Sequence, residues 1–107
     1  MGIFKAYDVR GIYGKELYDV HGFLTGYYLA KMTGITNMNV AHDCRLSSGS
    51  LSKWLIKGLL HGGTRVVYLG ACSTPMFYHA LFGGIRSGVM VTASHNPQEY
   101  NGFKVIK

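Results

Sequence analysis

The segment Thr92-Ala93-Ser94-His95-Asn96-Pro97 departs from ordinary strand grammar: the apolar run Val89-Met90-Val91 passes straight into residues that hydrogen-bond or turn the chain. In an open α/β sheet, ligands sit beyond the carboxyl ends of the strands, which is where Ser94 and His95 would fall. A serine hydroxyl is a weak nucleophile and needs a base, a metal or both. The following Asn101-Gly102-Phe103-Lys104 brings an ammonium back towards the same loop. Serine, histidine and lysine at one sheet edge can form or receive a phosphate ester. The alternative is a polar turn that closes a β-hairpin, and on spacing alone it is the preferred one.

Two further segments could do related chemistry. In Ala6-Tyr7-Asp8-Val9-Arg10-Gly11, an arginine followed by glycine at a strand end can offer a planar fork to a phosphate while the backbone turns tightly. The alternative for Arg10 is a surface ion pair with Asp8 or Glu16. In His42-Asp43-Cys44-Arg45-Leu46-Ser47-Ser48, Arg45 and the serines could hold an anion at a helix N-terminus. Loop closure and helix capping by Asp43 and the serines is the preferred alternative, since these are usual capping residues.

The elements that must position these residues alternate between strand and helix. Ile3 to Val9 has a strand composition and ends at Arg10-Gly11. Asp19 could cap a helix running to about Thr33, with Val20, Phe23, Leu24, Tyr27 and Ala30 at helical spacing and Gly34 as its stop. Met38 to Ala41 reads as a short buried strand. Ser48 or Ser50 caps a second helix with Leu51, Trp54, Leu55, Gly58 and Leu59 on one face, ended by Gly62-Gly63. Arg65 to Leu69 has the apolar character of a central strand. Pro75 suits the first turn of a third helix through Met76, Tyr78, Ala80 and Leu81, stopped at Gly83-Gly84. Val89 to Thr92 and Gly102 to Ile106 complete the strands. The fold expected is α/β, three layers α/β/α, with a mixed, mainly parallel sheet.

The 107 residues allow one domain, spanning 1–107, and the stop at Lys107 beside a strand suggests truncation. Hydrophobic residues make up 48% and charged residues 15%, which excludes a disordered tail. No apolar run is long enough for a membrane span, and the N-terminus carries Lys5, Asp8 and Arg10 instead of a secretion signal. Cys44 and Cys72 read as two thiols in a reducing cytosol, so the expected location is cytoplasmic. The net charge of +6 suggests an anionic partner, but the positive residues form no run of the kind that nucleic-acid arms concentrate. There is no P-loop pattern and no dinucleotide fingerprint. The five histidines never pair at i, i+4, and His21, His61 and His79 read as polar helix faces or ends.

Taken together, Phe4 to Gly11, Asp43 to Ser48, Thr74-Pro75, and Gly88 to Pro97 continuing through Glu99 to Lys104 resemble the first domain of the α-D-phosphohexomutases. The likeness is to the phosphomannomutase/phosphoglucomutase branch. The resemblance implies that Ser94 carries a transferable phosphoryl group, exchanged with a hexose phosphate through a bound hexose bisphosphate. It implies that His95 and Lys104 move protons and balance charge beside it, that Arg10 faces the phosphoryl group, and that Tyr7 lies on the substrate side. It also implies Mg²⁺ bound in part through the Ser94 phosphate, and hexose 1,6-bisphosphate as activator. Three further domains, carrying the metal loop, the sugar loop and the phosphate loop, would be needed for turnover, so the chain by itself is expected to be an incomplete isomerase with an incomplete metal site. Where many members have Gly-Arg before the aspartate, this chain has Ala41-His42. The competing functions are a non-catalytic phosphosugar-binding or regulatory remnant and, from another class, a basic nucleic-acid-binding domain. An exposed interdomain face or a sheet edge would favour self-association.

Overall fold

The computed structural model describes residues 6–82, 84–93 and 96–106, and of Ala6, Tyr7, Asp8 and Phe82 the backbone alone. The elements run β1 (Ala6–Ile12), α1 (Asp19–Thr33), β2 (Asn37–His42), α2 (Ser48–His61), β3 (Arg65–Ala71), α3 (Thr74–Phe82), β4 (Gly88–Val91) and β5 (Tyr100–Ile106). They build a five-stranded mixed sheet of order β1-β5-β4-β2-β3. β2 runs parallel to β3 and β4, whereas β5 is antiparallel to β4 and β1. Parallel pairing therefore ends at β4, and the return through β5 makes the other half of the sheet antiparallel.

Strand alternation splits the core into two layers. On one face, Leu51, Leu55 and Leu59 of α2 pack with Met38, Val40, Val89, Val91, Phe103 and Val105. On the other, Phe77 and Leu81 of α3 pack with Ala41, Met90 and Ile106. β4 is buried along its whole length, so the loop that leaves it starts from the most enclosed strand. Among the described residues, no helix is long and apolar enough to cross a membrane.

α1 and α2 stop at their glycines as expected, but α1 is capped by Tyr18 and not by Asp19, which is its first residue. α1 ends at Gly34, which takes the left-handed conformation (φ 67°) that glycine enters without penalty. The buried face of α1 shares only Ala30 with the expected one. Gly22, Gly26 and Ala30 are buried, while Val20 and Leu24 are exposed. The reason is a backbone-to-backbone crossing of α1 and α2. A Cβ on Gly26 would run into Leu55 O and lie 2.8 Å from Leu59 N, and one on Gly58 would run into Phe23 O. Glycine, not a large apolar side chain, lets the helices meet. The N-cap of α2 is Ser47, without a side-chain cap bond, and not the expected Ser48 or Ser50, whose hydroxyls donate to Asp43 and Asp19 instead. β3 is an edge strand, not a central one, and exposes Val67 and Tyr68.

Candidate active site at the carboxyl end of β4

β2 and β4 end side by side, with His42 opposite Val91 and the Asp43 N–H donating to Val91 O at 3.1 Å. The connection from Thr92 to Glu99 leaves this edge and returns as β5. It does join an antiparallel pair, so the hairpin alternative describes its topology, but at eight residues (92 to 99) it is much longer than a tight hairpin turn. Ser94 and His95 lie outside the described residues. The chain on both sides of them is anchored.

On the upstream side, the Thr92 N–H donates to Gly102 O at 3.0 Å and its hydroxyl donates to Asp43 Oδ2 at 2.7 Å. On the downstream side, the Asn96 N–H closes onto Ala93 O at 3.0 Å, and the Tyr100 N–H onto Pro97 O at 3.0 Å. Arg10 reaches both sides. Its Nη1 donates to Asn96 Oδ1 at 2.8 Å and approaches Ala93 O at 3.5 Å. It stands there because Arg10 faces Gly102 across the β1–β5 ladder. A Cβ at Gly102 would lie 2.9 Å from Arg10 Cα and run into Val9 O, so only glycine permits this approach. Glu16, one partner considered for Arg10, accepts the Ile12 N–H at 3.0 Å.

Asp43 is the hub of the site. Its carboxylate accepts hydrogen bonds from the Ser48 hydroxyl, the Arg45 N–H, the Thr92 hydroxyl and Arg45 Nε. Burial by itself would raise its pKa. The bonds from Ser48, the Arg45 backbone, Thr92 and the Arg45 side chain outweigh burial and hold it below the usual carboxylate value. Arg45 is paired with Asp43 at 3.0 Å, with only 9% of its side chain exposed. Its Nη1 donates to Pro97 O (2.8 Å) and Tyr100 O (3.1 Å), and its Nη2 to Asn96 O (3.0 Å). The preferred alternative for this segment holds in part: Asp43 closes the loop, but no serine side chain caps α2, and Arg45 joins the loop closure. Asn101, fully buried, donates to Ser47 Oγ and Ser48 Oγ at 2.7 and 2.9 Å, tying β5 to the start of α2.

Lys104 faces Met90 across the β4–β5 ladder. It lines a hollow of about 500 Å³ with Asp43, Cys72, Ser73, Thr74, Met90 and Thr92, and its ammonium lies 5.6 Å from the centre of the Tyr78 ring. Burial pushes the Cys72 thiol pKa up, and both cysteines are unpaired thiols. Tyr7 pairs through its backbone with Val105, and its side chain is outside the described residues. His42, at the position where the chain departs from many similar sequences, stacks on Tyr68 and meets its hydroxyl at 2.7 Å.

The structure therefore brings Arg10 and Lys104 to the edge that carries Thr92 to Pro97. Four contributors were not singled out from the sequence for these roles: Asp43 as the hub, Thr92, Asn101 and Tyr78. The Asp43-x-Arg45 spacing was the available signal for the first, because two residues of loop suffice to pair these side chains. The others depend on contacts between distant segments.

The family described as phosphoglucomutase/phosphomannomutase, alpha/beta/alpha domain I, matches residues 1–107. A phosphoglucomutase of Neisseria meningitidis serogroup B is 44% identical over 97% of this chain and 24% of its own length. A phosphomannomutase of Methanocaldococcus jannaschii is 42% identical over 96% of this chain and 23% of its own. A solved phosphoglucomutase/phosphomannomutase family protein from Burkholderia thailandensis superposes with a TM-score of 0.84 at 38% identity, over 94% of this chain and 25% of that one. The chain thus spans about a quarter of the length of these relatives. Sequence match, fold and sheet-edge geometry agree, and the chain belongs to the phosphoglucomutase/phosphomannomutase family, in which it corresponds to the α/β/α domain I.

Proposed function

We propose that this chain is the phosphoryl-carrying first domain of a cytoplasmic hexose-phosphate mutase acting on glucose or mannose phosphates, with Ser94 as the carrier. In the forward half-reaction a sugar hydroxyl attacks the Ser94 phosphate. The new P–O bond forms as the bond to Ser94 Oγ breaks, giving a bound hexose bisphosphate. The hydroxyl proton ends on Ser94 Oγ by way of a neighbouring base, the role assigned to His95 or Lys104. The bisphosphate turns over and its other phosphate returns to Ser94 by the reverse of these steps. Such transfer needs positioning and positive charge on the phosphoryl oxygens more than covalent work by the protein.

The observation that carries this reading is Arg10, whose guanidinium meets the residues on both sides of Ser94-His95. Lys104 supports it by lining a hollow with Thr92. Tyr7 is assigned to the substrate side. Magnesium, when bound, would supply charge neutralisation at the phosphoryl group. Among the described residues no group of three or more His, Cys, Asp or Glu side chains is placed to hold a metal, and Asp43 is engaged by Arg45, Ser48 and Thr92. These residues do not make a magnesium shell.

The test is mutase activity with Mg²⁺ and a hexose 1,6-bisphosphate, for the chain alone and mixed with a polypeptide carrying the rest of a relative. Turnover only in the mixture, with phosphate on Ser94 by mass spectrometry and loss in Ser94→Ala, is expected. An assembled mixture without turnover and without phosphate on Ser94 overturns the proposal.

A further inference from the structure

We infer that Arg45 is a positioning residue for the Ser94-His95 segment and not a ligand of the phosphorylated substrate. The inference rests on the assignment of Ser94 as the phosphoryl carrier. Read from the sequence, an arginine before serines at a helix N-terminus is a candidate anion ligand. The geometry gives it a different task. A guanidinium has five N–H groups in a fixed fork. Four of them donate to Asp43 Oδ2 and to the carbonyls of Asn96, Pro97 and Tyr100. All three carbonyls lie just downstream of Ser94-His95. The same Asp43 carboxylate that orients Arg45 accepts the Thr92 hydroxyl, just upstream. One ion pair therefore ties together the two stems of the segment, and the arginine is only 9% exposed while doing so. Lysine cannot substitute, because a single ammonium cannot span three carbonyls in a planar fork.

Amide exchange and titration of the ¹⁵N-labelled chain test this. In the unsubstituted chain, the Arg45 Nε–H exchanges slowly, and added inorganic phosphate leaves its resonance in place while moving that of Arg10. In Arg45→Lys, exchange at the Asn96 and Tyr100 amides rises about tenfold or more, while amides of the β4–β5 ladder change less than about threefold. Asp43→Asn, a second variant that keeps Arg45, raises loop exchange in the same direction. In the mixture assay, Arg45→Lys lowers kcat and leaves KM within about twofold. A saturable phosphate shift at Arg45 Nε–H, unchanged loop exchange in both variants, or unchanged kcat despite faster loop exchange overturns the inference. If phosphate moves neither Arg10 nor Lys104 but loop exchange responds as stated, the clamp stands and the phosphoryl-site assignment is what fails.

Discussion

Gly102→Ala tests whether the β1–β5 approach places Arg10. Gly102 is not among the glycines with positive φ, so alanine is conformationally admissible there. Without a clash the substitution would stabilise the strand by roughly 0.5–1 kcal/mol, the usual penalty of an interior glycine. The structure reverses that sign. The added Cβ would run into Val9 O and lie 2.9 and 3.0 Å from Arg10 Cα and Cγ. Two of these three atoms are backbone, so relief requires β1 to move, not a side chain to rotate. Overpacking of this kind costs roughly 1–3 kcal/mol, and backbone contacts put it near the upper end. The net expectation is destabilisation of about 2 kcal/mol, or a fall in Tm of roughly 8–16 °C for a chain of this size. Urea and thermal unfolding by circular dichroism measure it. The resonances of the Asn96 side-chain amide and Arg10 Nε–H report the second consequence, loss of the 2.8 Å contact. Gly49→Ala is the control: nothing lies within 4 Å of its Cβ, and the added helix propensity should stabilise by up to about 1 kcal/mol. A Gly102→Ala variant as stable as the parent, or a destabilised one with the Arg10 and Asn96 signals unmoved, refutes the reasoning.

Three other predictions follow from single contacts. Ser52 is 1% exposed and its hydroxyl finds no hydrogen-bond partner among the described residues, so Ser52→Ala should leave stability unchanged or raise it by about 1 kcal/mol in denaturant unfolding. Because the folded-state pKa of Asp43 lies below its ordinary value, its contribution is present above the unfolded-state pKa of about 4 and lost as pH falls through the folded value. The stability gap between the parent and Asp43→Asn should therefore be widest near neutrality and narrow below about pH 4, as urea midpoints at several pH values would show. β3 is an edge strand with Val67 and Tyr68 exposed, so light scattering should find concentration-dependent self-association that Val67→Lys reduces.

The parts of the fold legible in the sequence were those fixed by neighbours along the chain. α1 starts at Asp19 and ends at Thr33, because periodicity, an acidic first turn and a C-terminal glycine act within a few residues. The face that α1 buries was not legible. Large apolar residues mark a packed face only when side chains fill the gap, and here Gly22, Gly26 and Gly58 remove it. The apolar run in β3 suggested a central strand, yet strand order is set by pairing partners elsewhere in the chain, and the run lies at an edge. At the site, Lys104 is legible from the return of the chain through Asn101 and Arg10 from the glycine that follows it, but periodicity does not say how the fold places them; in the structure that depends on β5 running antiparallel between β1 and β4. Arg45 stands out in the sequence as a candidate anion ligand, and its structural role was not legible, because the carbonyls of Asn96, Pro97 and Tyr100 come from a distant segment.

The separation of roles between the two arginines follows from where each is anchored. A loop at an open sheet edge carries carbonyl groups that must find donors, and Thr92 to Pro97 has few large apolar side chains with which to pack. Arg45, enclosed and held by a carboxylate two residues away, satisfies two of those carbonyls, Asn96 O and Pro97 O, together with Tyr100 O at the start of β5, and is thereby fixed itself. Arg10 comes from a different strand, is exposed, and meets the loop through Asn96 Oδ1 and, at the limit of hydrogen-bond length, Ala93 O. A side chain held that way can exchange a partner for a phosphoryl oxygen at modest cost, because charge-assisted bonds to phosphate are stronger than those to an amide oxygen. Arg45 cannot do so without releasing both stems of the loop. On the proposed function, Arg45 holds the segment in shape and Arg10 is the cation for which an incoming phosphate would compete.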